Sequence, residues 1–153
     1  MHETEALHIR RLTAEDLEPL HRLLSDPAVM RYLEPPFTRA QTEAFLQKAG
    51  MGREPLIRAV EDGRGFAGYV IYHPYDETSM ELGWVLASDR WGRGYALALT
   101  RQMICRAREN GRDAVIECHP QQAATRHIAE KLGFRPCGMD GGYCVYRLAG
   151  KNE

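Results

Sequence analysis

The chain has 153 residues, and its 20 basic and 21 acidic side chains give a formal net charge of -1. A chain of this length buries roughly two-thirds of its unfolded surface as one domain, so neither a metal ion nor a disulfide is needed to stabilise it. The even balance of charge argues against the broad basic surface with which proteins hold nucleic acids or anionic membranes. We therefore expect a single domain over residues 1–153 that binds neither.

The cysteines and the lack of long apolar segments indicate the compartment. The four cysteines are scattered without a C-x-x-C pair, and the six histidines show no metal-ligand spacing. The opening residues MHETEALHIR lack the apolar core of a signal peptide, and no apolar run approaches the ~18 residues that span a bilayer. These features predict a cytoplasmic protein with reduced thiols and no bound metal.

The first half of the chain predicts a strand, two helices and three further strands. A strand over 6–12 precedes a helix that Thr13 caps, and a proline-rich loop separates this helix from a second one, which runs from Thr38 to Gly50. Three short strands follow in LIRAVED, FAGYVIYH and MELGWVLA, and the turn signals between them predict an antiparallel meander. The first helix is expected to bury Leu17, Leu20 and Leu24.

The second half predicts a helix between two strands, then a last helix and two final strands. Apolar residues from 96 to 107 recur with the period of a helix, and the apolar segment 113–119 predicts a buried strand, so the two flanking strands form a parallel pair. The last helix, over 121–133, is expected to bury Ala124, Ile128 and Leu132. We predict an α/β fold in which four helices flank a mixed, mostly antiparallel sheet of six or seven strands with a central parallel pair.

The segment DRWGRGYALAL places two glycines just before a helix. Free backbone N–H groups and the positive end of the helix dipole suit an anion such as phosphate, and Gly92 and Gly94 allow positive φ angles and close approach. Arg90 and Arg93 are expected to add charge-assisted hydrogen bonds from either side. The alternative is an ordinary glycine turn whose arginines face solvent. The third glycine of a dinucleotide fingerprint and the Gly-Lys-Ser/Thr of a P-loop are both missing.

Three segments, ELGWVLASDRWGRGYALAL, ATRHIAEKLGF and SDPAVMRYLEPPFT, resemble the GCN5-related N-acetyltransferases (GNAT), in particular the branch that acetylates ribosomal-protein N-termini. The resemblance runs in the family's order over almost the whole chain. It implies an enzyme that uses acetyl-CoA as co-substrate and acetylates an amine by direct transfer in a ternary complex. Backbone N–H groups of the glycine loop would hold the CoA pyrophosphate, at Trp91, Gly92, Arg93, Gly94, Tyr95 and Ala96. The preceding strand, one of two parallel strands splayed apart, would pair with the pantetheine arm through Trp84, Val85 and Leu86.

The last helix departs from the branch's N-x-x-S motif and has Gln122-Ala123-Ala124-Thr125 instead. The resemblance implies that Gln122 hydrogen-bonds a pantetheine amide and that Thr125 donates a proton to the departing CoA thiolate. The alternative for Thr125 is a hydrogen bond back to the carbonyl of residue 121, which is common for threonine in helices.

Glu81, at a place where the branch commonly has Glu, is expected to take the proton of the amine, and a backbone N–H near Val85 or Leu86 to stabilise the oxyanion. The alternative for Glu81 is a solvent-facing carboxylate or an ion pair. Because an α-amine loses its proton more easily than a lysine, one weak base favours an α-amine acceptor, on a protein N-terminus or a small metabolite. The acceptor slot is expected to be bordered by Arg31, Tyr32, Glu34, Tyr72, His73 and Tyr75.

Two other functions stay open. A CoA-binding regulatory module without turnover is favoured by the changes at Gln122 and Thr125. A small-molecule acetyltransferase, acting on an antibiotic or a polyamine, differs only in its acceptor. Whether the chain forms a homodimer is also left open.

Overall fold

The computed structural model describes residues 6–150, which form seven β-strands and five α-helices in a mixed α/β fold. The strands are β1 (His8–Arg10), β2 (Ile57–Asp62), β3 (Gly65–Asp76), β4 (Ser79–Leu86), β5 (Asp113–Cys118), β6 (Arg135–Asp140) and β7 (Tyr143–Leu148). The helices are α1 (Leu17–Leu24), α2 (Pro27–Met30), α3 (Arg39–Phe45), α4 (Tyr95–Glu109) and α5 (Ala123–Lys131). The strands form one sheet in the order β1-β2-β3-β4-β5-β7-β6. The predicted parallel pair is β4 and β5, which confirms the mostly antiparallel sheet expected from the sequence.

The described chain divides into two compact units. The first contains residues 6–71 and 84–95, and the second contains residues 72–83 and 96–150. Strands β3 and β4 and helix α4 therefore contribute residues to both units. The two ends of the predicted single domain, residues 1–5 and 151–153, lie outside the described residues.

The first unit has an apolar core formed by helices α1 and α3 and strands β2 and β3. Thr13 and Thr38 start the helical segments with capping boxes. In each box the threonine side chain accepts a hydrogen bond from a backbone N–H of the first turn, and the side chain of the third following residue accepts one from the threonine's own N–H. Leu20 and Leu24 are buried as their spacing predicted, whereas Leu17 is only half-buried. The same cluster includes Leu12, Leu23, Met30, Leu46, Ile57, Ala59, Tyr69 and Val85.

The helices of the first unit differ from the prediction in two places. The first is the additional helix α2, which makes five α-helices among the described residues where four were predicted, and the second is the end of α3. The Asp26 carboxylate accepts the Ala28 N–H and Pro27 supplies the first helical residue, which makes α2 a separate turn inside a predicted loop. Helix α3 ends at Phe45, and a π-helical turn over Leu46–Gly50 completes the segment. None of the helices within residues 6–150 is long and apolar enough to cross a lipid bilayer.

In the second unit one helix follows the prediction and the other does not. Helix α4 buries the apolar positions that its spacing predicted, Leu99, Met103, Ile104 and Ala107. In α5, however, Ala124 is exposed and Ile128 and Leu132 are only half-buried, whereas Ala129 is fully buried. Since α5 packs on β5, the small side chain of Ala129 allows the close approach and the larger residues lie beside the contact.

Gly68 marks a close approach between β3 and the end of β4 in the first unit. Its φ is +146°, and a Cβ at this position would lie 2.8 Å from Leu86 Cα and closer still to the carbonyl oxygen of Val85. Backbone atoms of this kind cannot rotate away from the added carbon. Only glycine therefore permits this approach.

We predict that Gly68→Ala lowers the free energy of unfolding by more than about 2 kcal/mol, because it adds both backbone strain and a clash with a neighbouring strand. The matched control is Gly63→Ala, where an added Cβ meets no atom within 4 Å. The control should change stability by less than about 0.5 kcal/mol. Urea denaturation of both variants measures the difference, and equal stabilities would contradict this account of Gly68.

Candidate active site

The glycine loop, residues 91–94, lies in the first unit between a 3-10 turn (Ser88–Arg90) and helix α4. Gly92 and Gly94 have φ angles of +74° and +81°, in the left-handed region that glycine adopts without strain. All four loop residues are exposed, and a Cβ added at either glycine would meet no atom within 4 Å. The loop thus presents open backbone at the start of a 15-residue helix, where unpaired N–H groups and the helix dipole favour an anion.

Arg90 does not have the role that the sequence suggested. Its Nε and Nη2 donate to the two carboxylate oxygens of Asp62 at 2.9 and 3.1 Å, and its Nη1 donates to Asp89. Tyr95 donates its hydroxyl to the same Asp62 carboxylate at 2.8 Å. The Arg90 side chain is 9% exposed and that of Asp62 is fully buried. The expectation that Arg90 would hold an anion is therefore wrong, because its guanidinium is already paired.

The other loop side chains are placed differently. Trp91 donates its indole N–H to the carbonyl of Leu86 at 3.0 Å, which ties the loop to the end of β4, while its ring stays 51% exposed. Arg93 is exposed. Of the two arginines that flank the glycines, Arg93 is thus the one whose side chain faces solvent.

In the second unit the parallel pairing of β4 with β5 covers only the first part of both strands. Its register joins Ser79 to Asp113 and ends where Glu81 faces Val115, although both strands continue. Within the described residues the two strands therefore make no further ladder with each other. The splaying of these two strands, which the resemblance implied, stays a prediction.

Glu81 lies at the end of this pairing and is half-buried. Its Oε1 is 3.8 Å from Nε2 of His73 on β3. Burial raises the pKa of Glu81, the charge of His73 lowers it, and the charge of Glu117 raises it, with a net shift upward. The other imidazole nitrogen of His73, Nδ1, is 3.0 Å from the carbonyl oxygen of Pro74.

A second polar pair lies beside Glu81. The Tyr75 hydroxyl donates to Oε2 of Glu117 on β5 at 2.9 Å. This hydrogen bond, followed by burial and the negative charges of Glu117, Asp140 and Glu81, raises the pKa of Tyr75 to about 12. The negative charges of Glu117, Asp140 and Glu81 thus all act on Tyr75, so this part of the second unit is locally acidic in a chain whose total charge is nearly balanced.

The start of helix α5 carries the two residues predicted to act on the co-substrate. Gln122 accepts the His119 backbone N–H with its side-chain oxygen at 2.8 Å, so only its NH₂ group remains to donate elsewhere. Thr125 is half-buried, and its hydroxyl makes no hydrogen bond with the described residues. Thr100, by contrast, donates to the carbonyl four residues earlier at 2.6 Å. The back-bonding that was the alternative for Thr125 is not present.

The acetyltransferase (GNAT) domain family matches residues 6–135 of this chain. The chain belongs to this family. It is 26% identical over 141 residues to a protein described as an uncharacterized N-acetyltransferase, YnaD of Bacillus subtilis (strain 168), and the match covers 89% of this chain and 83% of that protein.

Solved structures agree in fold. A GNAT-family acetyltransferase from Bacillus anthracis has a TM-score of 0.82 and 24% identity over 97% of each chain. Spermidine N-acetyltransferase from Vibrio cholerae, in complex with CoA and spermine, has a TM-score of 0.74 and 23% identity over 92% of each chain. The family match confirms the prediction that this GNAT protein is an N-acetyltransferase and favours it over the alternative of a regulatory module without turnover.

The residues predicted for the acceptor of this acetyltransferase are divided between its two units. Arg31, Tyr32 and Glu34 belong to the first unit, where the Arg31 guanidinium lies 5.0 Å from the centre of the Tyr32 ring. A groove there is lined by Pro27, Met30, Arg31, Leu33, Glu34, Pro35 and Pro36. His73 and Tyr75 belong to the second unit, beside Glu81.

Sequence reasoning missed three residues of this arrangement. No functional role was predicted from the sequence for Asp62, Glu117 or Asp140. The alternation of His73 and Tyr75 on β3 indicates that the two side chains share one face of the sheet, and the same period puts Glu117 on the face of Val115. No pattern along the chain joins Asp62 to Arg90, since 28 residues separate them.

Proposed function

We propose that this GNAT protein transfers the acetyl group of acetyl-CoA directly to an α-amine, on a protein N-terminus or a small metabolite, in a ternary complex. Acetyl-CoA supplies an activated thioester and a thiolate leaving group. The chain must hold the pyrophosphate, accept a proton from the amine and protonate the thiolate. Each of these tasks has a candidate among the described residues.

The glycine loop suits the CoA pyrophosphate. Its positive-φ glycines are open to approach, and the backbone from Gly92 through Arg93 and Gly94 to Tyr95 and Ala96 leads into the positive end of α4, whereas the Trp91 N–H already donates to the carbonyl of Ser88 at 3.3 Å. Exposed Arg93 adds a cation that a phosphate oxygen can pair with. We assign the backbone of Trp84, Val85 and Leu86 to the pantetheine arm. The free NH₂ group of Gln122 suits a pantetheine carbonyl.

Proton transfer is assigned to Glu81 and Thr125. Glu81 takes the proton of the amine, because its raised pKa makes it a better base than an exposed glutamate. Thr125 donates to the thiolate, because its hydroxyl is not engaged with the described residues and it lies in the first turn of α5. Backbone N–H groups near Val85 and Leu86 stabilise the oxyanion.

The observation that carries the choice of acceptor is Glu81, a half-buried carboxylate of raised pKa whose Oε1 lies 3.8 Å from Nε2 of His73. At pH 7 an α-amine of pKa ~8 costs about 1.4 kcal/mol to deprotonate, whereas a lysine amine of pKa ~10.4 costs about 4.6 kcal/mol. The difference, about 3 kcal/mol, is similar to what one well-placed base supplies. A carboxylate of moderately raised pKa therefore suits the α-amine.

A polyamine is the second candidate acceptor. It is favoured by the carboxylates of Glu81, Glu117 and Asp140 around Tyr75, since a polyamine carries further ammonium groups for these charges to bind. The sequence, with its balanced total charge, gave no indication of this local acidity. Among the proteins of the same fold, one is a spermidine N-acetyltransferase.

A competition assay at pH 7 separates these acceptors. Peptides with a free N-terminus and no lysine, N-blocked peptides with a lysine, and spermidine are mixed at equal concentration with acetyl-CoA. Mass spectrometry then reports the acetylated site. We expect the α-amine to be acetylated at least ten times faster than the lysine, because it needs less deprotonation. Faster acetylation of lysine contradicts the proposal, and faster acetylation of spermidine establishes the second candidate instead.

The assignment of Glu81 predicts a specific response to pH. Activity requires ionised Glu81, so kcat/KM should fall as pH drops through its raised pKa. Glu117→Gln keeps an oxygen to accept the Tyr75 hydroxyl but removes a negative charge that raises the pKa of Glu81. The acidic limb of the profile should therefore move to lower pH, by about half a unit.

The control for this shift is Glu109→Gln, which removes the same charge from an exposed position at the end of α4. It should leave the limb in place. A limb that stays unmoved in Glu117→Gln would show that Glu81 does not set the pH dependence.

A further inference from the structure

We propose that Asp62 is a positioning residue for acetyl-CoA, because one carboxylate holds both ends of the segment whose backbone binds the pyrophosphate. This inference rests on the proposed use of the glycine loop. It adds a residue from β2, which lies outside the loop and its helix.

The two ends of the loop meet at one side chain. Arg90, the residue before the loop, donates two hydrogen bonds to Asp62, and Tyr95, the residue after it, donates a third. All three residues are buried, with Tyr95 3% exposed. Every residue between Arg90 and Tyr95 is exposed. The loop is thus an exposed segment, and the residues on either side of it, Arg90 and Tyr95, both donate to the same buried carboxylate.

Asp62 is itself held by the sheet. It is the last residue of β2, its backbone pairs with Gly65 of β3, and Oδ1 also accepts the Arg64 N–H at 2.8 Å. The hydrogen bonds from Arg90, ahead of that from Tyr95, keep the pKa of Asp62 well below its usual range, so the carboxylate stays ionised at neutral pH. Because the sheet holds Asp62 in place, Asp62 in turn holds Arg90 and Tyr95, the residues on either side of the loop.

The loop needs this support because of its glycines. Gly92 and Gly94 give the segment the greatest backbone freedom of any residue type, and the exposed residues make few contacts that would restrict it. A loop that must be ordered by its ligand binds more weakly than one that is ordered beforehand. Trp91 is already held by its hydrogen bonds to Leu86 and Ser88, so fixing Arg90 and Tyr95 leaves only Gly92, Arg93 and Gly94 to be ordered.

The chain contains a matched control for this network. Arg10 donates two hydrogen bonds to Asp16 at 2.9 and 2.8 Å, and the Asp16 side chain is 7% exposed. This pair has the same chemistry and lies in the same unit, but it joins β1 to the turn before α1. Asp16→Asn therefore removes a comparable buried charge without touching the loop.

The experiment compares Asp62→Asn, Tyr95→Phe and Asp16→Asn with the parent. Calorimetry measures CoA binding, and kinetics compares acetyl-CoA with S-acetylpantetheine, which lacks the pyrophosphate. We expect CoA affinity to fall at least 10-fold in Asp62→Asn and about 3-fold in Tyr95→Phe, and to stay unchanged in Asp16→Asn. The kcat/KM for S-acetylpantetheine should change less than 2-fold in all three, because only the pyrophosphate contact is lost.

The outcomes separate this inference from the function on which it rests. A parent that binds no CoA overturns the proposed function and this assignment with it. A parent that binds CoA while Tyr95→Phe and Asp62→Asn bind it equally well overturns this assignment alone. Equal losses with both acyl donors would show general damage and also overturn it. If Asp62→Asn does not fold, Tyr95→Phe, which loses one hydroxyl, decides the question by the same readouts.

Discussion

The hydrogen bonds from Arg90 and Tyr95 to the buried carboxylate of Asp62 are the interaction on which the glycine loop of the first unit depends. The carboxylate thereby links the edge of the β2–β3 hairpin to the start of α4. Removing one partner of such a buried pair generally costs about 3 to 5 kcal/mol, since it leaves an unpaired charge. The exposed glycines between the two donors can then keep left-handed conformations that present backbone N–H groups to solvent. A buried ion pair thus supports the exposed loop that we propose as the anion site.

The second unit depends on the place where a strand pairing ends. The parallel ladder of β4 and β5 stops at Glu81 and Val115, and around this point lie His73, Tyr75 and Glu117. Partial burial and the charge of Glu117 raise the pKa of Glu81, against the opposing charge of His73, and this shift favours its proposed role as the base. The loop that we propose for the pyrophosphate lies in the first unit, whereas Glu81, Gln122 and Thr125 lie in the second.

The sequence predicted what depends on local pattern. The helical period of the apolar residues predicted α4, and the strand on either side of that helix predicted the parallel pair. The two glycines before the helix predicted the position of the loop. Contacts between distant segments were not predictable in this way. Arg90 was expected to bind an anion, because nothing near it in sequence reveals its partner Asp62. Ala124 was expected to be buried, but the approach of α5 to the sheet selects the small Ala129 instead. The acidic region that acts on Tyr75 consists of carboxylates from three other strands, Glu81, Glu117 and Asp140. The sequence around each of them gives no sign of the others.

Amide hydrogen exchange of the whole protein, with and without saturating CoA, tests the central claim most directly. The account predicts that CoA slows exchange of the backbone N–H groups over residues 92–96 at least 10-fold, because these groups bind the pyrophosphate. Amides of the β6–β7 hairpin, which has no assigned contact with CoA, should exchange at the same rate in both states. Binding of CoA with unchanged exchange over residues 92–96 would contradict the account.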